Sequence, residues 1–303
     1  DPREIIPENL EHALSSPSPS DASEGSTPRV SLSPGQASGF EALLPREEQL
    51  NVIVLDVGQG NAVFVQPPAG KTILVDSGES AYYPHLSAYL ASMGVEKIDI
   101  LVGTHPHSDH IGGMAQILQN YDVPEIYMPR VEHTSNTYLR FLEEIRDQGK
   151  KIHMAKGGSE VKVALDPDVT IRMLATLSSE YKSLNDYSVA LRLEYDDFSI
   201  LLTGDAEKLS EKEMLENLPE HLPSTVMLLG HHGSSTSNTK AFLEAVSPSA
   251  AIISCGKDND YGHPTEEVLS RLQKKNIPVY RTDRQGSVGV FCSKRGWEIL
   301  TER

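Results

Sequence analysis

From about residue 50 onward, short apolar runs alternate with polar stretches rich in glycine, proline and acidic residues. This is the pattern of buried strands separated by turns and helices. Runs at 51–55, 62–66, 71–75 and 98–102 predict strands, with turns at Gly58-Gln59-Gly60 and Pro67-Pro68-Ala69-Gly70. A helix is expected over 84–93, stopped by Gly94 as its C-cap, and helical periodicity returns over 114–118. The second half repeats the alternation, with strands over 188–195 and 198–202, a helix over 209–217 and a strand over 225–229. A helix over 238–245, a strand over 251–255, a helix over 265–275 and a closing pair of strands near Val279 and Val290 complete it. There is no short-period repeat, and the alternation predicts an α/β fold in layers.

Composition divides the chain in two. At 303 residues, 38% hydrophobic and 23% charged, it has ample material for one globular core. No apolar run approaches the ~18 residues that would span a bilayer, so no transmembrane segment is expected. Residues 1–49 are different material. Positions 15–38 are dense in Ser, Pro, Gly and acidic residues, a disordered-linker composition, which leaves 50–303 as the folded domain. The chain begins at Asp1 rather than Met, as a trimmed or mature product would. That start and the linker lead to an extracellular or envelope-associated expectation, with a cytoplasmic protein as the alternative. Cys255 and Cys292 fall in the predicted strands 251–255 and 288–292 and read as buried free thiols without metal-ligand spacing.

Charge limits the ligands. Nine acidic and three basic residues in the first 49 leave −10 of the chain's −16 on the remainder. Long nucleic acids normally meet a basic surface, so tight duplex binding is disfavoured. Arg271, Lys274 and Lys275 share one predicted helix and read as a solvated face, while Arg281 and Arg284 flank Asp283.

The strongest chemical signal is the stretch from Thr104 to Gly113, which packs His105, His107, Asp109 and His110 into six residues after a predicted strand. Imidazole nitrogens and a carboxylate suit zinc, manganese or iron, and the lack of thiolates argues against a closed structural zinc site. Asp205 ends another apolar run, and His231-His232 ends a third, so candidate ligands collect at strand ends, where α/β proteins place their chemistry.

This pattern resembles the signature of the metallo-β-lactamase superfamily, which implies an αβ/βα sandwich with a one- or two-metal site at its edge. The resemblance covers roughly residues 50–303. By it, Asp76 orients the histidine loop, Asp205 bridges two ions, and His231-His232 occupy the late histidine position. One of that pair is expected to ligate and the other to stand behind it or contact phosphate. Leu55 to Gly60, Gly230 to Ser234, Tyr261-Gly262-His263-Pro264 and Tyr280 to Asp283 with Gly286 are similar to one branch, the metallo-hydrolase domain of the DNA-uptake competence protein ComEC and its free-standing relatives. Asn61 stands where that family commonly has aspartate. Ser183 to Ser188 lacks the histidine that often completes the first metal site. That site is left with His105, His107 and Asp205, completed by water or Asn185, and should tolerate manganese better than a histidine-richer one.

The resemblance implies a metal-dependent hydrolase, specifically a phosphodiesterase or nuclease acting on DNA through hydroxide held by two divalent ions, zinc or manganese. Asp109 is expected to ligate and to orient that hydroxide. Ser234 and Ser235, with Gly233 and Thr236 near a helix start, are expected to cradle an anion. His263 is expected to act as general acid, its alternative being a loop histidine that caps a helix. A hydrolase of another ester class, such as a phosphorylcholine esterase or a lactonase, and a non-catalytic binding module are the other readings. No oligomeric state follows from the sequence.

Overall fold

A computed structural model describes residues 39–161 and 166–303. The chain opens with β1 (Leu50–Val54), β2 (Val63–Gln66), β3 (Ile73–Val75), β4 (Ile100–Val102), β5 (Glu125–Met128) and β6 (Ile152–Met154). It continues with β7 (Ser159–Glu160), β8 (Val169–Ala175), β9 (Ala190–Tyr195), β10 (Phe198–Leu202), β11 (Val226–Leu228), β12 (Ala250–Ile253) and β13 (Val279–Arg281). A final hairpin, β14 (Val288–Ser293) and β15 (Gly296–Thr301), returns to the first sheet. The sheets run β15-β14-β1-β2-β3-β4-β5-β6 and β13-β12-β11-β10-β9-β8-β7.

Helices cover the outer face of each sheet. They are α1 (Tyr83–Ser92), α2 (Ser108–Ile111), α3 (Met114–Asn120), α4 (Asn136–Asp147), α5 (Lys208–Asn217), α6 (Lys240–Val246), α7 (Glu266–Lys274) and α8 (Thr282–Gln285). Alternation along the strands builds three apolar layers. Val52 and Val54 of β1 join Ile200 and Leu202 of β10 between the sheets. Ile53 faces the other way, in a cluster with Leu86, Leu90, Ile117 and Phe141 of the first helical layer. Leu201 and Met227 belong to the third cluster, with Met214, Phe242 and Val268. Strands covered on both faces have no polar side, which is why they read as continuous apolar runs. The result is the expected αβ/βα sandwich.

The parallel strands β3 to β6 and β10 to β13 end at loops that carry the chemistry. The predicted closing pair is corrected. β13 lies parallel to β12, whereas β14 inserts between β1 and β15, so the strands near Val279 and Val290 belong to different sheets. Cys255 lies just past β12 rather than inside it; both thiols are buried and free.

The boundary at residue 49 also moves. Phe40 and Leu43, 2% and 0% exposed, join the first helical layer, and the Arg46 guanidinium lies 4.2 Å over the Phe291 ring. Among the described residues, packing thus reaches at least ten residues ahead of β1. The disordered-linker expectation for residues 15–38 lies outside the described residues, as does all of 1–38. Among those described, no helix is long and apolar enough to cross a membrane.

Candidate metal centre

The histidine motif begins two residues after β4. Asp76, just past β3, fixes its geometry. Its Oδ1 accepts from the Thr104 amide at 2.8 Å, and its Oδ2 accepts from the Thr104 hydroxyl at 2.8 Å and stands 2.7 Å from His110 Nδ1. A carboxylate on Nδ1 orients the ring and leaves Nε2 for a ligand, an arrangement that metal-binding histidines share. His105 is fully buried, its Nδ1 3.2 Å from the hydroxyls of Thr104 and Ser188, and its Nε2 lies 2.9 Å from His107 Nδ1. Gly60 lets the neighbouring loop close on Asp109: a Cβ there would fall 2.1 Å from the Asp109 carbonyl oxygen.

The second half of the chain supplies the remaining donors. Asp205 follows β10, and its amide donates to Ser188 Oγ at 2.9 Å. His232 follows β11, with Nδ1 2.9 Å from the Ser254 carbonyl oxygen and Nε2 3.2 Å from Asp109 Oδ2. The backbone reaches this position through left-handed φ values at both His231 (52°) and His232 (53°), an uncommon conformation for residues other than glycine. Asn238 holds the turn, with Oδ1 accepting from the Gly230 amide and Nδ2 donating to the Gly230 and Ser234 carbonyls. Glu211 in turn accepts the Asn238 and Thr239 amides.

Two groups of donors result. Asp109, His110, Asp205 and His232 form one; His105, His107 and Asp205 form the other, with ligand atoms within 4.8 Å of one another in each. Asp205 belongs to both. His110 Nε2 and Asp205 Oδ1 are buried and make no hydrogen bond. Such orphaned groups are costly unless something pairs with them, and a nitrogen and a carboxylate oxygen facing a common point suit divalent cations. The residues present therefore fit a dinuclear site.

The electrostatics agree. Burial alone would raise the Asp205 carboxyl, but the surrounding His110 and His232 imidazoles hold it well below the usual carboxylate range. Asp109 is also lowered despite its burial, chiefly by His110 and His232. Burial works against a charge on His110, yet Asp205, Asp76 and Asp109 outweigh it and raise the ring well above the ordinary value. His105 is lowered, first by burial and then by His110. His232 is raised as well, Asp205 and Asp109 outweighing its burial, so the carboxylates and imidazoles of the centre stabilise one another's charges, and a bound cation would take the place of those protons.

Several expected residues need relocation. His231 lies outside both donor groups, with Nδ1 3.0 Å from Thr236 Oγ1 and 3.5 Å from Glu207 Oε1 and Nε2 3.8 Å from Asp205 Oδ2, so of the pair it is the one that stands beside the ligands rather than among them. His232 is the late histidine. The Ser234 hydroxyl is engaged with Thr236, and α6 begins only at Lys240, so Ser234 and Ser235 precede the helix by several residues rather than lying at its start. Asn185 donates to Glu207 at 3.2 Å, and its buried Oδ1 has no hydrogen-bond partner. His263 stands beside the centre, its ring 5.4 Å from that of His231 and 6.3 Å from that of His232. Burial and those two rings push its pKa down to about 4, a direction that works against the proton expected of a general acid. Asn61 meets the motif through its backbone, the main-chain N–H donating to the Asp109 carbonyl at 3.1 Å, a contact that does not depend on its side chain. Arg271 is no solvated cation, because it donates to the Ser237 and Asn238 carbonyls and pairs with Glu267.

Ser188 and Ser254 were not singled out in the sequence. Ser188 orients His105 and Asp205 through its hydroxyl, and Ser254 orients His232 through its backbone carbonyl; neither a lone serine nor a main-chain oxygen carries a signal of such a role.

Comparison with known proteins identifies the family. The Metallo-beta-lactamase superfamily model matches residues 55–257. The chain is 31% identical over 254 residues to ComE operon protein 3 of Bacillus subtilis, covering 78% of this chain and 32% of that one. It is 33% identical over 265 residues to Competence protein ComA of Neisseria gonorrhoeae, covering 86% and 35%. It therefore spans about a third of the length of these relatives. Zn(2+)-bound PqqB from Methylobacterium extorquens shares the fold, with a TM-score of 0.52 at 9% identity, covering 76% of this chain and 97% of that one.

Proposed function

Since this chain belongs to the metallo-β-lactamase superfamily, we propose that it is a metal-dependent phosphodiesterase acting on nucleic acid. The observation that carries the reading is the pair of donor groups joined through Asp205. Two divalent cations held there would activate a water and offset the charge that develops on an attacked phosphodiester. The chain's own residues do the positioning. Asp76 fixes His110, Ser188 fixes His105 and the Asp205 amide, and the Ser254 carbonyl fixes His232. Asp109, one-quarter exposed at its side chain, and the half-buried His107 are the donors that an incoming substrate can reach. The competence relatives support nucleic acid as the substrate class.

The domain's acidity shapes the proposal. Local contacts at the centre, rather than a long basic track, would hold the substrate. The test is hydrolysis by metal-loaded protein of a panel containing DNA and RNA oligonucleotides, phosphocholine esters, lactones and thioesters. Cleavage of oligonucleotides well above the rest is expected. Preferential turnover of a carboxylic or thioester substrate would replace this reading with an esterase.

A further inference from the structure

Tyr261 is 70% exposed, more than Tyr82, Leu209 or Trp297, the other large hydrophobic residues that reach solvent among the described residues. Its ring stacks on His263, with centroids 5.8 Å apart and planes 22° from parallel. His263 in turn lies beside His231 and His232, so one ring separates Tyr261 from the metal centre. The supporting loop is braced. Asn259 accepts from the His263 amide at 3.0 Å and donates to the carbonyls of His263 and Gly256 at 2.6 and 2.9 Å. Gly262, at φ 67°, makes the reversal between the two stacked rings. Among the described residues the Tyr261 hydroxyl has no hydrogen-bond partner, and burial in the core does not account for the ring's position.

We propose that Tyr261, backed by His263, is the stacking platform for a nucleobase next to the scissile phosphodiester. The inference rests on the phosphodiesterase reading and makes it more specific. Asp258 and Asp260 precede the tyrosine on the same loop, which disfavours a grip on backbone phosphate there. A π face needs no positive charge, and base–aromatic stacking tolerates any base. An acidic domain that handles a polyanion would gain most from such a contact. The base must be unstacked on the face it offers to the ring, so the contact suits a single strand or a strand end.

The experiment compares kcat/KM of the metal-loaded wild type, Tyr261→Ala and Tyr261→Phe on a defined short oligonucleotide, intact or carrying an abasic nucleotide on either side of the cleaved bond. The alanine variant should lose about tenfold on the intact strand, mainly through KM, while phenylalanine retains activity. The abasic strand should cost the wild type a similar factor and the alanine variant little more. Equal losses on intact and abasic strands, or no loss at all, would overturn the platform and leave Tyr261 to a protein partner. If the wild type cleaves no oligonucleotide, the phosphodiesterase reading falls, and this inference falls with it.

Discussion

His110 Nε2 and Asp205 Oδ1 stand 3.2 Å apart in the buried centre, and neither makes a hydrogen bond. The two atoms belong to opposite halves of the sandwich, His110 from α2, which follows β4, and Asp205 from the loop after β10. Their juxtaposition forms only when both sheets have packed. A buried pair left open in this way is stabilised when a cation takes up the free lone pairs.

Asp205→Asn tests that role most directly. The amide keeps the shape but removes the charge that both donor groups share. A loss in rate of about a hundredfold or more is expected, with less metal bound and the fold retained. Asp283→Asn is the control, because the Asp283 carboxylate is occupied by Arg281 and the Cys255 thiol. Wild-type hydrolysis by Asp205→Asn at full metal content would remove the shared-ligand assignment.

Asp76 should act through His110 rather than on substrate. Asp76→Asn keeps a side chain tolerant of the positive φ of 61° but weakens the acceptor facing Thr104 and His110. Metal affinity is expected to fall roughly 10–100-fold, measured by competition with a chelator. Unchanged affinity would mean that the ring is held by packing alone.

Much of the fold is legible because β1, β3, β4, β10 and β11 are buried along their whole length and appear as apolar runs. Elements that are not such runs stood outside that pattern. β15 is exposed or half-buried throughout, and α4 shows its core face only at Tyr138, Phe141, Leu142 and Ile145. In the site, the Thr104 to Gly113 motif and Asp205 carry their own signal. The choice between His231 and His232 does not, since it depends on two left-handed backbone positions held by Asn238, eight residues from Gly230. The Phe40 and Leu43 contacts were hidden by a polar stretch before them, although both residues are apolar.

Those two residues give a stability prediction. Leu43→Ala in the full chain should cost about 2–5 kcal/mol in urea unfolding, as for a fully buried leucine. A chain starting at Leu50 should melt well below one starting at Gly39. Coincident unfolding curves would restore the domain boundary to residue 49.

The unequal donor groups predict a metal preference. One offers His105, His107 and Asp205, while the other adds a fourth donor. The three-donor group needs further oxygen ligands, which manganese accepts more readily than zinc. Stripped protein should regain more activity with Mn²⁺ than with Zn²⁺. Equal or higher rates with Zn²⁺ across a full titration would contradict this.

Glu211 links stability to pH at a distance from the ligands. It is 2% exposed, and burial pushes its pKa from 4.5 to about 7, against the pull of the Asn238 and Thr239 amides and of Arg271. Between those two values the folded protein holds a proton that the unfolded chain releases, so this contribution to stability is complete below about 4.5 and is lost as pH rises through about 7. The shift corresponds to about 3 kcal/mol. Glu211→Gln cannot ionise, and its unfolding free energy should change less between pH 5 and pH 8 than that of the wild type. The comparison between the two proteins cancels the titration of the metal ligands. Parallel pH profiles would show that Glu211 is ionised in the folded state throughout, with its two amide contacts and Arg271 outweighing the cost of burial.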